Sequence, residues 1–127
     1  MTSLHGKTAF ISGGSRGIGL AIAQRLAKDG VNLMISASNQ AHLEMVANDL
    51  QAHSAARVSS HSADLRSLTG CETAFAAHQD EYSVCDILIH SAGATKGGIF
   101  PTQPDEDFID GFALKFHAGV RLSRLFW

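Results

Sequence analysis

The stretch Ser12-Gly13-Gly14-Ser15-Arg16-Gly17-Ile18-Gly19 holds the residues whose types and spacing are best suited to chemistry. It follows an apolar run and precedes a helical pattern. Backbone N–H groups and a helix N-terminus therefore converge on one concave spot, where aligned dipoles and unsatisfied donors favour an anion. Gly13 permits the sharp turn, Gly17 lets backbone approach a pyrophosphate, and Gly19 lets the helix pack close on the strand. The spacing is GxxxGxG, which departs from the GxGxxG fingerprint and lacks the Lys-Ser/Thr ending of a nucleoside-triphosphate loop. Other chemistry-bearing types are sparse. The histidines at 5, 42, 53, 61, 78, 90 and 117 show neither HExxH nor a paired helical spacing, so they read as scattered surface residues and no metal site is expected. Cys71 and Cys85 lack CxxC spacing and read as reduced packing residues.

The glycine loop needs a frame, and the apolar period supplies one. Thr8–Ser12 reads as a buried strand that stops in the loop. Ile18, Ala21, Ile22 and Leu26 recur at helical spacing, and Lys28-Asp29-Gly30 ends that helix. Residues 32–36 read as a second strand, Ser38-Asn39 as a turn, and Leu43, Val46, Ala47 and Leu50 as the stripe of a second helix. Residues 57–63 form a third strand in which only Val58 is strongly apolar, and a helix spans about 67–81. Residues 86–91 give the clearest strand signal, bounded by Ala92-Gly93. After a Gly-rich loop over 94–104, Asp105 or a neighbour caps a last helix that carries Phe108, Ile109, Phe112, Leu114, Phe116, Val120, Leu122 and Leu125. Phe108, Phe112, Phe116 and Trp127 read as core or interface packing. Strands alternating with helices predict an α/β fold, a parallel sheet covered on both faces, in one domain over 1–127.

At these residues the chain resembles the short-chain dehydrogenase/reductase family. The TGxxxGIG segment of that family appears as Ser12 to Gly19, with Ser12 for the leading Thr. Asp64-Leu65 follow the third strand, where the family places an Asp beside the cofactor's adenine, and His90-Ser91-Ala92-Gly93 matches its NNAG segment. The landmarks span essentially the whole chain in the family's order. The resemblance implies a Rossmann-type doubly wound sheet in strand order 3-2-1-4. It also implies a nicotinamide dinucleotide held by Gly13, Ser15, Arg16, Gly17, Ile18, Gly19, Ser38, Asp64, Leu65, Ser91, Ala92 and Gly93. His90 and Ser91 replace both Asn residues of NNAG, which leaves the bonds that stiffen the family's central sheet without their usual donors. Lys115 stands where the family's helix carries an Asn that helps build the proton relay, and a Lys offers no acceptor.

An NAD site places a carboxylate at the end of the second strand, about 20 residues past the glycines, to accept from the ribose 2′-OH. Here that stretch is Ser36-Ala37-Ser38-Asn39, with no acid before Glu44, and Arg16 could pair with a 2′-phosphate. NADP(H) is expected over NAD(H), with a grip weakened where the family often has Arg in place of Ser38. The family moves hydride to or from a carbonyl with a Ser and a Tyr-x-x-x-Lys pair. The single tyrosine, Tyr82, precedes the fourth strand and has Asp86 four residues on, so it cannot be that Tyr, and no catalytic residue is assigned. The resemblance implies that the catalytic segment lies beyond Trp127. The chain is then expected to be the cofactor half of an NADP(H)-dependent oxidoreductase acting on a small carbonyl or alcohol, inactive alone. The alternatives are a catalytically inactive truncated nucleotide-binding module, a self-associating fragment, and a non-functional truncation.

Composition narrows the partners. The 127 residues are 45% hydrophobic and 17% charged, which suits one soluble domain with a self-sufficient core. Ten Lys+Arg against twelve Asp+Glu give a net charge of −2 with no basic cluster, so nucleic acid is not an expected partner. The N-terminus has no signal-peptide core and no apolar run approaches the ~18 residues of a membrane span, so the cytoplasm is the expected location. An open fourth strand and a Phe-rich last helix predict a homo-oligomer through those elements, or poor stability.

Overall fold

The computed structural model describes residues 3–127. Alternation of strand and helix gives β1 (Thr8–Ser12), α1 (Gly17–Lys28), β2 (Asn32–Ala37), α2 (Gln40–Ala52), β3 (Val58–Ser62), α3 (Leu68–Tyr82) and β4 (Ile87–His90). A short 3₁₀ turn (Phe100–Thr102) leads to α4 (Asp105–Phe112), a π-helical turn (Ala113–His117) and α5 (Ala118–Phe126). All pairings are parallel and the order is β3-β2-β1-β4, as the resemblance implies. The alternation of side chains along each strand sorts the core into two layers. Ala9, Ile11, Leu33, Ile35 and Val58 pack beneath Ala23, Ala27, Leu43, Ala47 and Leu50 of α1 and α2. Phe10 and Met34 face the other way, against Cys71 and Ala74 of α3 and Ala118 and Leu122 of α5. Each fully buried Leu, Ile or Phe in these layers contributes about 1.5–3 kcal/mol.

Local chemistry fixes the helix ends. The Asn39 side chain accepts from the His42 amide at 3.0 Å at the start of α2, and the Ser67 hydroxyl accepts from the Gly70 amide at 2.9 Å at the start of α3. The last helix differs from its expected form. Pro104, not Asp105, occupies the N-cap without a side-chain cap, and the π-helical turn divides the helix. Its apolar residues also divide. Leu122 is buried, whereas Phe108, Ile109, Phe112, Phe116 and Trp127 are exposed, so the core reading does not hold for that aromatic set. The reason is that only one side of this helix meets α3 and the sheet, and among the described residues β4 pairs only with β1.

One further residue departs from the reading of the sequence. His78 is not a surface residue: it is fully buried among Phe10, Tyr82 and Phe126, and its two ring nitrogens have no hydrogen-bond partner among the described residues. Burial pushes its pKa below the ordinary 6.5, and the backbone of Ala9 offsets this only in part. Tyr82 directs its hydroxyl to the Leu33 carbonyl at 2.7 Å and sits 3.0 Å from the Ser59 hydroxyl. The only tyrosine is therefore bonded to the sheet, near the N-terminal end of β2.

His78 makes the fold acid-sensitive in a defined window. Its folded pKa is depressed, so the unfolded chain takes up the proton first, and stability present above pH 6.5 is lost as pH falls toward the folded value. His78→Leu is expected to raise stability by about 1 kcal/mol at pH 8, by removing unsatisfied buried polar atoms, and by more at pH 5.5. Urea unfolding at the two pH values checks this. An equal gain at both would rule out the proton linkage.

Candidate functional site

The site lies at the C-terminal ends of the strands, where the loop after β1 crosses the turn after β4. Gly13 has φ +70°, and a Cβ there would stand 2.7 Å from the Ala92 amide nitrogen. No other residue allows both the turn and the contact. The Gly13 amide donates to the Ser36 carbonyl at 2.7 Å, which ties the loop to β2 as well. Gly17 has φ +54° with open space where a Cβ would project, so its backbone faces the cleft bare. Gly19 packs against the loop itself, since a Cβ would fall 2.1 Å from the Gly13 carbonyl oxygen. The expected contact was with the strand.

Two connected clefts result. One, of about 370 Å³, is lined by Gly13, Ser15, Arg16, Gly17, Ile18, Ser91, Ala92 and Gly93. The other, of about 200 Å³, shares Gly13, Ala92 and Gly93 and adds Ala37, Ser38, Ala63, Leu65, Arg66, Ala94 and Leu114. The structure thus brings every anticipated site residue to a cleft wall except Gly19, which lies beneath the loop, and Asp64. The Asp64 carboxylate is exposed, accepts from the Arg66 amide at 3.0 Å and faces the Arg66 guanidinium at 3.7 Å. It does not cap α3, because Ser67 does. Neither cleft is lined by a carboxylate among the described residues. Each has one guanidinium, Arg16 at the exposed start of α1 and Arg66 at the far wall.

Several contributors escaped the reading of the sequence. Arg66 is pinned to Asp110 of α4 at 2.7 Å and its carbonyl accepts from Arg121 at 3.1 Å, a long-range network with no local signal. His42 Nε2 lies 3.1 Å from the Ser15 carbonyl and donates to it, bracing the glycine loop from α2. His90 ties the end of β4 to two other elements: its Nδ1 lies 2.6 Å from the Ser12 hydroxyl and its Nε2 lies 3.1 Å from the Leu114 carbonyl. Lys115 lies along Gly93, with its Cε 2.9 Å from where a Cβ would be, and helps line an apolar cavity of about 270 Å³ with Lys96, Phe108, Phe112 and Phe116.

The family model described as short chain dehydrogenase matches residues 7–127. An uncharacterized oxidoreductase, YvaG, from Bacillus subtilis is 32% identical over 96% of this chain and 45% of its own length. The 3-oxoacyl-[acyl-carrier-protein] reductase FabG of Rickettsia bellii is 34% identical over 98% of this chain and 48% of its own. Among solved structures, L-sorbose reductase from Gluconobacter frateurii complexed with NADPH and L-sorbose superposes with a TM-score of 0.93. It is 30% identical and covers 98% of this chain and 47% of that one. A short chain dehydrogenase from Burkholderia cenocepacia in complex with NADP gives a TM-score of 0.91 at 28% identity, over 98% of this chain and 51% of that one. The chain spans about half the length of the curated relatives it matches. With the parallel 3-2-1-4 sheet and the crossing glycine turns already in place, a match over nearly every residue makes this chain a member of the short-chain dehydrogenase family.

Proposed function

We propose that this chain is the dinucleotide-binding half of an oxidoreductase that interconverts a carbonyl and an alcohol, and that it takes NADP(H) in preference to NAD(H). The observation that carries the reading is the bare backbone cradle: Gly17 presents no side chain at the N-terminus of α1, and Gly13 lets the Ser91–Ala92–Gly93 turn pack where a Cβ would stand only 2.7 Å from the Ala92 nitrogen. That cradle suits a pyrophosphate. The nicotinamide ring, when bound, supplies or accepts the hydride.

Each residue has a separate task. The amides at the start of α1 hold the diphosphate, while Ser91, Ala92 and Gly93 leave room for a ribose. Leu65, Ala37 and Ala63 give the second cleft apolar walls for a flat base, while Asp64, between two lining residues in sequence, faces Arg66 outside the lining. Ser38 and Asn39 follow β2 without a carboxylate, and the next acid in the sequence, Glu44, accepts from Gln40 on α2 at 2.9 Å. A 2′-phosphate meets no fixed negative charge there, and the exposed Arg16 guanidinium can pair with it. Tyr82 is bonded to the sheet away from the clefts, so no phenol of this chain is placed to relay a proton. The 127-residue chain is therefore expected to bind cofactor without turnover.

Calorimetric titration with NADPH and NADH tests the reading: micromolar NADPH binding with NADH clearly weaker supports it, and no binding of either removes it. Arg16→Ala is expected to weaken NADPH by about tenfold, a charge-assisted bond of about 1.4 kcal/mol, and to leave NADH unchanged. Equal losses for both would locate Arg16 at the diphosphate instead. Gly17→Val should abolish binding while costing roughly 1–2 kcal/mol of stability for the positive φ, because its side chain projects into the cleft. Binding retained by that variant would show that the cradle is not the site.

We also propose self-association through the exposed row Phe108, Phe112 and Phe116 and the free edge of β4. The support is the apolar patch itself, in which Phe112 is 62% and Phe116 57% exposed. Sedimentation velocity should show dimers or larger species that Phe112→Asp/Phe116→Asp converts to monomer. A monomeric parent chain at tens of micromolar, an order-of-magnitude choice for a weak interface, would sink this proposal.

A further inference from the structure

His90 ends β4, immediately before the turn that crosses Gly13. Its two ring nitrogens face two different elements: Nδ1 lies 2.6 Å from Ser12 Oγ at the end of β1, and Nε2 lies 3.1 Å from the Leu114 carbonyl oxygen in the π-helical turn. A carbonyl can only accept, so Nε2 carries the proton. With that proton placed, Nδ1 is left to accept from the Ser12 hydroxyl. The hydroxyl's own surroundings lead to the same arrangement. Ser12 Oγ is fully buried and accepts from the Ser91 amide at 3.1 Å and the Ala92 amide at 3.2 Å, which uses its lone pairs and leaves its proton for Nδ1.

The chain of donors is continuous. It runs from the Ser91 and Ala92 amides into the Ser12 hydroxyl, from that hydroxyl into His90 Nδ1, and from His90 Nε2–H into Leu114. The backbone makes room for the ring at one place: a Cβ on Gly119 would stand 2.9 Å from His90 Cδ2, so this glycine is the recess in α5 that admits the imidazole. The two amides at the head of the chain belong to the turn that closes both clefts.

We propose that His90, as the Nε2–H tautomer, is the positioning residue for the Ser91–Ala92–Gly93 turn, a strut that fixes the turn between β1 and the π-helical turn. The importance of that turn for a dinucleotide rests on the function proposed above, but the strut does not. Removing the ring's hydrogen bonds leaves the Ser12 proton and the Leu114 carbonyl without these partners; the Ser91 amide keeps its 3.0 Å bond to the Ser12 carbonyl, so the Ala92 amide, which the hydroxyl holds, is the part of the turn that loosens.

Nitrogen NMR of the chain with isotope-labelled histidine reads the strut without any ligand. A pyrrole-type Nε2 and a pyridine-type Nδ1 are expected for His90, and the opposite tautomer overturns the proposal. His90→Phe keeps a ring in the Gly119 recess and removes both bonds, whereas His90→Gln keeps a donor near the Nε2 position. Amide exchange at Ala92 should accelerate about tenfold in the Phe variant, and less in the Gln variant, if each bond contributes its ordinary amount, while Ser91 stays protected by the Ser12 carbonyl. Unchanged exchange in His90→Phe overturns the proposal. NADPH titration should follow the same order, with a loss of about tenfold for Phe and partial rescue by Gln. If the parent chain binds no NADPH, the dinucleotide reading fails, while the tautomer and the exchange rates still decide the strut. If His90→Phe does not fold, the tautomer of the parent chain and exchange in His90→Gln decide it.

Discussion

The contact between two backbone turns at Gly13 and Ala92 constrains the rest of the structure. Strands β1 and β4 are parallel neighbours, so their C-terminal turns leave the sheet side by side and compete for the same space. A side chain at position 13 would overlap the Ala92 backbone, and only a residue that also tolerates φ +70° resolves the competition. Once the turns cross there, the clefts on either side are defined. Gly17 and Arg16 belong to one, Ser38, Leu65 and Arg66 to the other, and Ala92 and Gly93 form the wall between them. The glycine pattern is thus a consequence of strand adjacency as much as of ligand chemistry.

Adjacency in turn rests on β4, which is short and pairs on one side only. Its register is held at both ends by side chains. At the start, the Asp86 carboxylate accepts from the Thr8 amide at 2.9 Å and lies 3.6 Å from the Lys7 ammonium. The Thr8 backbone bond, more than Lys7, lowers the Asp86 pKa. Its contribution is therefore present above the ordinary carboxylate range and is lost as pH falls through the depressed folded value. At the other end, His90 meets Ser12. A four-residue strand with one neighbour has few ladder bonds, so these end contacts decide whether its turn stays opposite Gly13.

Much of this was legible in the sequence, for local reasons. Thr8–Ser12, the glycine loop and the first helix announce themselves because apolar period, turn chemistry and helix start agree within a few residues. The third strand formed despite having only Val58 as a strong signal, because β2 supplies its ladder and the Tyr82 hydroxyl, which donates to the Leu33 carbonyl, lies 3.0 Å from the Ser59 hydroxyl beside it. The π-helical turn left no local trace. It sits where the helix must accommodate His90 and place Lys115 over Gly93, and those are contacts across many intervening residues. Histidines were the least legible class. His78 sits in a helix with a polar face and gives no sign of burial until the Phe10, Tyr82 and Phe126 rings close around it.

Arg66 and Arg16 show why charge at a cleft cannot be read from residue type alone. Arg16 projects from the start of a helix with no carboxylate to hold it, so its guanidinium is available to an arriving anion and has little entropy already lost. Arg66 already bonds Asp110 at 2.7 Å and faces Asp64 at 3.7 Å, so its charge is balanced and its orientation fixed. A phosphate competing for Arg66 would have to displace a carboxylate already bound to it. A base lying in the second cleft would instead meet a guanidinium held in place as part of the wall, and through Asp110 that wall is continuous with α4. The same residue type therefore stands without an ion-pair partner among the described residues at one cleft and forms a rigid surface at the other, and the difference lies in the two aspartates beside Arg66.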